Sequence, residues 1–200
     1  MAHSLVSAPE RYDGFAMALH WLSVALVFAL LATGLVMTRL TPGGADQFAL
    51  YQLHKSLGVT LLLLTVVRWA WRWHRRPPLL PAHVSAVASS AAKLMHVLLY
   101  VFLVAVPLAG WALVSSSTLN IQTSMFGLAT WPHLPVLSDL DPESRARIEP
   151  VLSRVHMTFA YVFAGLVLLH SAAAIWHGRP VMARMLPVGP SHEPSHTGQP

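Results

Sequence analysis

Cysteine is absent from this 200-residue chain. That excludes disulfides, cysteine-ligated iron–sulfur clusters, thiolate-ligated haem and the C-x-x-C-H attachment of c-type haem. Charge is scarce as well: 10% of residues are Asp, Glu, Lys or Arg, against about a quarter in an average soluble domain. The long apolar runs hold no acidic residue. This removes Ser-His-Asp catalysis and the carboxylate-lined bundle that a metal transporter needs. No glycine-rich strand–turn–helix fingerprint for flavin or nicotinamide occurs, and no internal repeat. What the chain has is 54% hydrophobic residues gathered into four runs. Such a chain is an all-α membrane protein, not a globular domain with a large core.

The runs predict spans at about 15–38, 51–73, 94–114 and 155–176. The first is too long for a signal-peptide core and no small-residue cleavage site follows, so it reads as a retained helix. The second carries Lys55, Arg68 and Arg72 near its ends, within snorkelling reach of the interfaces. Pro107 and Gly110 predict a kink in the third. The long connection between the third and fourth begins irregularly and continues as a surface helix over Asp139–Ser153, capped by Ser138 or Asp139. Residues 1–14 form a short polar segment, 15–187 the four-helix domain, and 188–200 a disordered Pro-, Ser- and His-rich tail. His192 and His196 in that tail read as solvated.

The formal charge of +5 does not indicate nucleic acid, because the basic residues border the spans. Arg68, Arg72, Arg75, Arg76 and Lys93 flank one connection, and Arg11, Arg179 and Arg184 lie beside the termini. On the opposite side Arg39, Lys55, Arg145, Arg147 and Arg154 are offset by Asp46, Asp139, Asp141, Glu143 and Glu149. The positive-inside rule therefore puts both termini in the cytoplasm, for a multi-pass protein of a bacterial inner membrane.

The fourth run contains His156 and His170, fourteen positions apart. In a helix they share a face and stand about 21 Å apart along the axis. Given the topology, His20 reaches the depth of His170 near the cytoplasmic face, and His54 that of His156 near the periplasmic face. Two level imidazole pairs are what two stacked, non-covalent, bis-histidine b-type haems require. His96 lies at the inner depth and His177 about 10 Å nearer the cytoplasm, at the interface; both suit a quinone headgroup, donating a hydrogen bond and relaying protons. Lys55 and Arg154, beside the outer pair, could attract an anion.

Several stretches resemble the bacterial cytochrome b561 family, which includes superoxide oxidases and relatives of hydrogenase cytochrome b subunits. They are Arg11-Tyr12 with Leu19-His20-Trp21, Leu53-His54-Lys55-Ser-Leu-Gly58 through Val67-Arg68, and Pro77-Pro78. His96-Val-Leu-Leu-Tyr100 through Pro107-Leu-Ala-Gly110, Val155-His156 and Leu169-His170-Ser-Ala-Ala-Ala continue the pattern, over about residues 11–187. The resemblance implies a four-helix bundle with two b-haems on the same pairs. In superoxide oxidases, superoxide at the periplasmic surface delivers electrons that pass inward to ubiquinone. A histidine shortly after the last ligand belongs to the quinone site there, and His177 matches it. A lysine of the connection after the second helix has no counterpart here, where Pro81-Ala-His83-Val stands.

The leading expectation is thus a superoxide:ubiquinone oxidoreductase. The alternative is a non-catalytic cytochrome b subunit linking quinone to a periplasmic redox protein or a dehydrogenase. A structural or receptor-like protein without haem requires both histidine pairings to be accidental.

Overall fold

The computed structural model describes residues 11–75 and 85–186. Residues 1–10, the Pro77-Pro78 and Pro81–Val84 stretches and the tail with His192 and His196 lie outside the described residues. Four long helices dominate: α1 Gly14–Met37, α2 Ala45–His74, α3 Ala86–Ser116 and α5 Pro142–Trp176. Between α3 and α5 lie a two-stranded hairpin, β1 Thr123–Met125 and β2 Ala129–Trp131, and the short α4 Pro135–Ser138. A further short helix, α6 Arg179–Met182, follows α5. Each long helix is long and apolar enough to cross a membrane.

The helices start where side chains satisfy their first amides. Asp13 accepts from Ala16 N at 2.9 Å, Ser85 from Ala88 N at 3.2 Å, and Asp141 from Ser144 N at 2.9 Å. α2, α3 and α5 begin several residues before the apolar spans expected from the sequence. The expected separate helix over Asp139–Ser153 is instead the opening of α5, capped by Asp141, while Ser138 closes α4. Pro150 lies inside α5 and removes the amide that would bond the Ala146 carbonyl. Both residues are exposed, so that carbonyl can turn to solvent.

Among the described residues the close pairings of long helices are α1–α2, α2–α3 and α3–α5. α5 stands further from α1 and α2. One buried side chain from each long helix, Val27, Leu61, Leu103 and Phe163, meets at mid-height. Phe163 lies seven residues from His156 and seven from His170, on nearly the same helix face. The apolar layer therefore separates the two histidine levels.

Each end of the bundle is closed by polar contacts. At one end Trp21 Nε1 donates to Met185 O at 2.7 Å, Tyr12 N to Arg184 O at 3.3 Å, and Arg11 to Leu186 O. Trp71 Nε1 also donates to the Asp13 carboxylate there, at 3.1 Å. This is the termini end. At the other, the hairpin lies against the start of α2. Its turn holds Phe126 and Gly127 at φ 52° and 77°, the primed geometry that follows strand twist. Ser56, almost wholly buried, donates to Ser124 O at 2.9 Å and accepts from Phe126 N at 3.2 Å. Gln52 accepts from Ser124 N at 3.0 Å and donates to Gln122 O at 3.2 Å.

Candidate haem-binding sites

At the hairpin end, α2 brings His54 and α5 brings His156 together. Their ring centres are 6.2 Å apart and their planes meet at 86°. The backbones of α2 and α5 are not closely packed, so the two imidazoles reach across a gap between helices. The partners of each Nδ1 fix which nitrogen remains available. His156 Nδ1 lies 3.1 Å from the Val106 carbonyl, which can only accept, so Nδ1 carries the proton. Thr33 Oγ1 stands 2.7 Å from Ala29 O and 3.0 Å from His54 Nδ1; with its hydroxyl proton on that carbonyl, its oxygen accepts from Nδ1. The Leu30 carbonyl is also within hydrogen-bonding reach of His54. In both neutral rings Nε2 is left with a lone pair, the form that ligates a metal.

These residues fit a haem iron. Two neutral imidazoles with Nε2 available would hold a haem iron as its protein ligands. Among the described residues no group of three or more His, Cys, Asp or Glu could hold a bare metal ion. A haem supplies four equatorial nitrogens itself and asks the protein for two axial donors only.

The termini end holds a larger cluster. His170 of α5 contacts His96 of α3, ring centres 5.5 Å apart at 80°. His20 of α1 lies within electrostatic reach of His170, His96 and Arg68. Arg68 and Arg72 sit over the Tyr100 ring, 5.4 and 5.5 Å from its centre, which anchors two cations beside this cluster. His96 Nδ1 donates to Ala92 O at 2.6 Å. That bond leaves Nε2 as the nitrogen available to a further partner. His177 caps α5 and is exposed, while His96 is turned toward His170.

The two basic residues expected to attract an anion differ in their surroundings. Lys55 Nζ donates to the Ile121 and Gln122 carbonyls at 3.4 and 3.3 Å, so its charge also pins the hairpin. Arg154 is exposed, and its Nε donates to Pro150 O of its own helix at 3.3 Å. Thr33, Gly34, Val106 and Gly110 escape a reading of the sequence as neighbours of the candidate ligands. Their roles are to seat an imidazole, and only their position opposite His54 and His156 reveals it.

A bundle of four membrane-crossing helices with histidines gathered at both ends and an apolar layer between them has the architecture of a membrane cytochrome of the b type. The chain belongs to the prokaryotic cytochrome b561 family, whose profile matches residues 11–188. It is 30% identical over 176 residues to cytochrome b561 homolog 2 of Escherichia coli (strain K12), covering 87% of this chain and 88% of that protein. With cytochrome b561 homolog 1 of the same organism it shares 25% identity over 169 residues, 84% of this chain and 90% of that protein. It is therefore a multi-pass membrane cytochrome b acting in electron transfer, and b-type haem binding comes with the family.

Proposed function

We propose that the chain binds two b-type haems non-covalently, one on His54 and His156 toward the periplasm and one on His20 and His170 toward the cytoplasm. We further propose that it works in the bacterial inner membrane, both termini cytoplasmic, oxidising periplasmic superoxide and reducing ubiquinone. The observation that carries this reading is the gathering of imidazoles at two levels of one bundle, with the Val27–Leu61–Leu103–Phe163 layer between. Haem, when bound, supplies reversible one-electron chemistry.

The reaction balances as two superoxide anions losing one electron each to give two O2, while one quinone gains two electrons and two protons. The protein's own residues supply ligation, charge and protons. Lys55 and Arg154 put positive charge beside the His54/His156 pair, which favours approach of an anion. Exposed His177 is suited to exchange protons between the cytoplasm and a quinone oxygen, and the Nε2 of His96, when protonated, to donate one to a quinone oxygen as the quinone is reduced. Arg68, near His20 and His170, favours negative charge developing at that level.

One feature favours the alternative of an electron-transfer subunit serving a periplasmic redox protein. Leu119, Leu128 and Val136 are 74, 89 and 75% exposed around the hairpin, an apolar surface on which such a protein could dock.

The test is superoxide consumption by the purified, haem-loaded protein with and without ubiquinone, beside its His54→Ala variant. Consumption coupled to quinol formation and lost in the variant is the expected result. Two intact haems with no superoxide-driven quinone reduction would sink the enzyme reading and leave the subunit.

A further inference from the structure

His54 and His156 each rest in the same kind of recess on a neighbouring helix. His54 lies against Gly34 of α1: a Cβ there would meet His54 Cε1 at 3.3 Å and Nδ1 at 3.7 Å. His156 lies against Gly110 of α3, where a Cβ would meet Cε1 at 3.0 Å and Nδ1 at 3.2 Å. Of the glycines with measured surroundings, these are the two that touch a histidine ring.

The polar half of the recess repeats too. Val106, whose carbonyl accepts from His156, precedes Gly110 by four residues. Leu30, whose carbonyl is in reach of His54, precedes Gly34 by four, and Thr33 adds its hydroxyl. In a helix the residue at i+4 stands over the carbonyl of residue i. A side chain at position 34 or 110 would cover the acceptor as well as fill the space. Glycine is a poor residue for a helix interior, and here its missing Cβ gives the ring both room and a partner. The two recesses come from different helices, and the rings they hold stand 86° apart.

We propose that Gly34 and Gly110 are positioning residues. Each fixes the plane and the tautomer of one axial imidazole, so that the two Nε2 lone pairs face a shared iron with their rings held nearly perpendicular. The inference rests on the proposed ligation by His54 and His156. Perpendicular axial imidazoles give ferric low-spin haem a highly anisotropic paramagnetic resonance signal, and that signal changes when either ring rotates.

The experiment uses the full-length, haem-loaded protein and its Gly110→Ala, Gly34→Ala, Thr33→Val, Gly165→Ala and His54→Ala variants. Haem per chain, the low-temperature resonance spectrum and a redox titration are read for each. Gly110→Ala is expected to weaken retention of the hairpin-end haem by about 10-fold or more, as loss of a partner that orients a ligand does. Where that haem stays bound, its signal should move. Gly34→Ala, with the looser contact, should do the same to a smaller degree. Thr33→Val should keep the haem and shift its signal and midpoint. The termini-end haem should be unchanged throughout. Gly165→Ala is the control, because a Cβ there meets nothing within 4 Å.

Wild-type haem content, spectra and midpoints in both Gly110→Ala and Gly34→Ala would overturn the inference, as would equal disturbance of both haems. If Gly110→Ala does not yield folded protein, Gly34→Ala and Thr33→Val decide by the same readouts. Retention of both haems in His54→Ala would bring down the ligation itself. One haem lost in His54→Ala beside silent glycine variants would bring down the positioning role alone.

Discussion

The chemistry of the hairpin end is decided by two protons. A backbone carbonyl and a threonine oxygen take the Nδ1 hydrogens of His156 and His54, which leaves both Nε2 atoms as donors to a metal. The termini end is less symmetrical, since the ring in contact with His170 is His96, while His20 is its electrostatic neighbour. Ligation by His20 predicts that His20→Ala removes one haem and His96→Ala removes none. Haem extraction showing the reverse would transfer the axial role to His96. Arg154, exposed near the proposed superoxide entry, should contribute through charge alone. Arg154→Gln is expected to slow superoxide consumption roughly 2–10-fold at low salt. The difference should close near 1 M salt, where the Debye length is about 3 Å. An equal deficit at all salt concentrations would argue against steering. The histidines were legible in the sequence because imidazole is conspicuous in apolar runs and helical spacing gives depth. Thr33, Val106 and the two glycines were not, because they act through a partner that only packing reveals.

Elements were legible in the same uneven way. Apolar runs announce a membrane helix, and all four were there. Their polar ends carry no such signal, so α5 continues back to Pro142 through what reads as a separate surface helix. The hairpin was missed because its strands are three residues long and its turn puts Phe126, an unusual residue for positive φ, beside Gly127. Ser56 helps hold it beside Gln52 and Lys55, so Ser56→Ala should cost about 1 kcal/mol by removing the hydroxyl's bonds to Ser124 and Phe126. Faster amide exchange across Thr123–Trp131 would report that loss, and unchanged protection would show the hairpin to be held otherwise. At the termini end Asp13 caps α1 and accepts from Trp71 of α2. Slight desolvation pushes its carboxyl upward, but the Ala16 amide and the Trp71 indole outweigh this and hold it below the usual range. A depressed acid stabilises the fold above its unfolded pKa, and the contribution is lost as pH falls through the folded value. Asp13→Ala should cost about 1 kcal/mol near neutral pH, and the gap from wild type should narrow below about pH 4.

As a whole, the molecule is two helix pairs, α1–α2 and α3–α5, joined through α2–α3. The candidate sites open where α5 faces α1 and α2, above and below the central apolar layer. Phe163 is the largest member of that layer and stacks with Phe102 at 6.4 Å and 8°. Phe163→Ala should destabilise the bundle by about 3 kcal/mol, seen as earlier thermal loss of both haems together. Loss of one haem alone would mean that the layer does not couple the two levels. The central claim is that one chain carries two haems on separate histidine pairs, and counting haem per chain tests it most directly. The measurement covers the wild type, His54→Ala, His170→Ala and the double variant, all purified in the same detergent. The account predicts two, one, one and none. A wild type with one haem, or a single variant that keeps two or loses both, would contradict it.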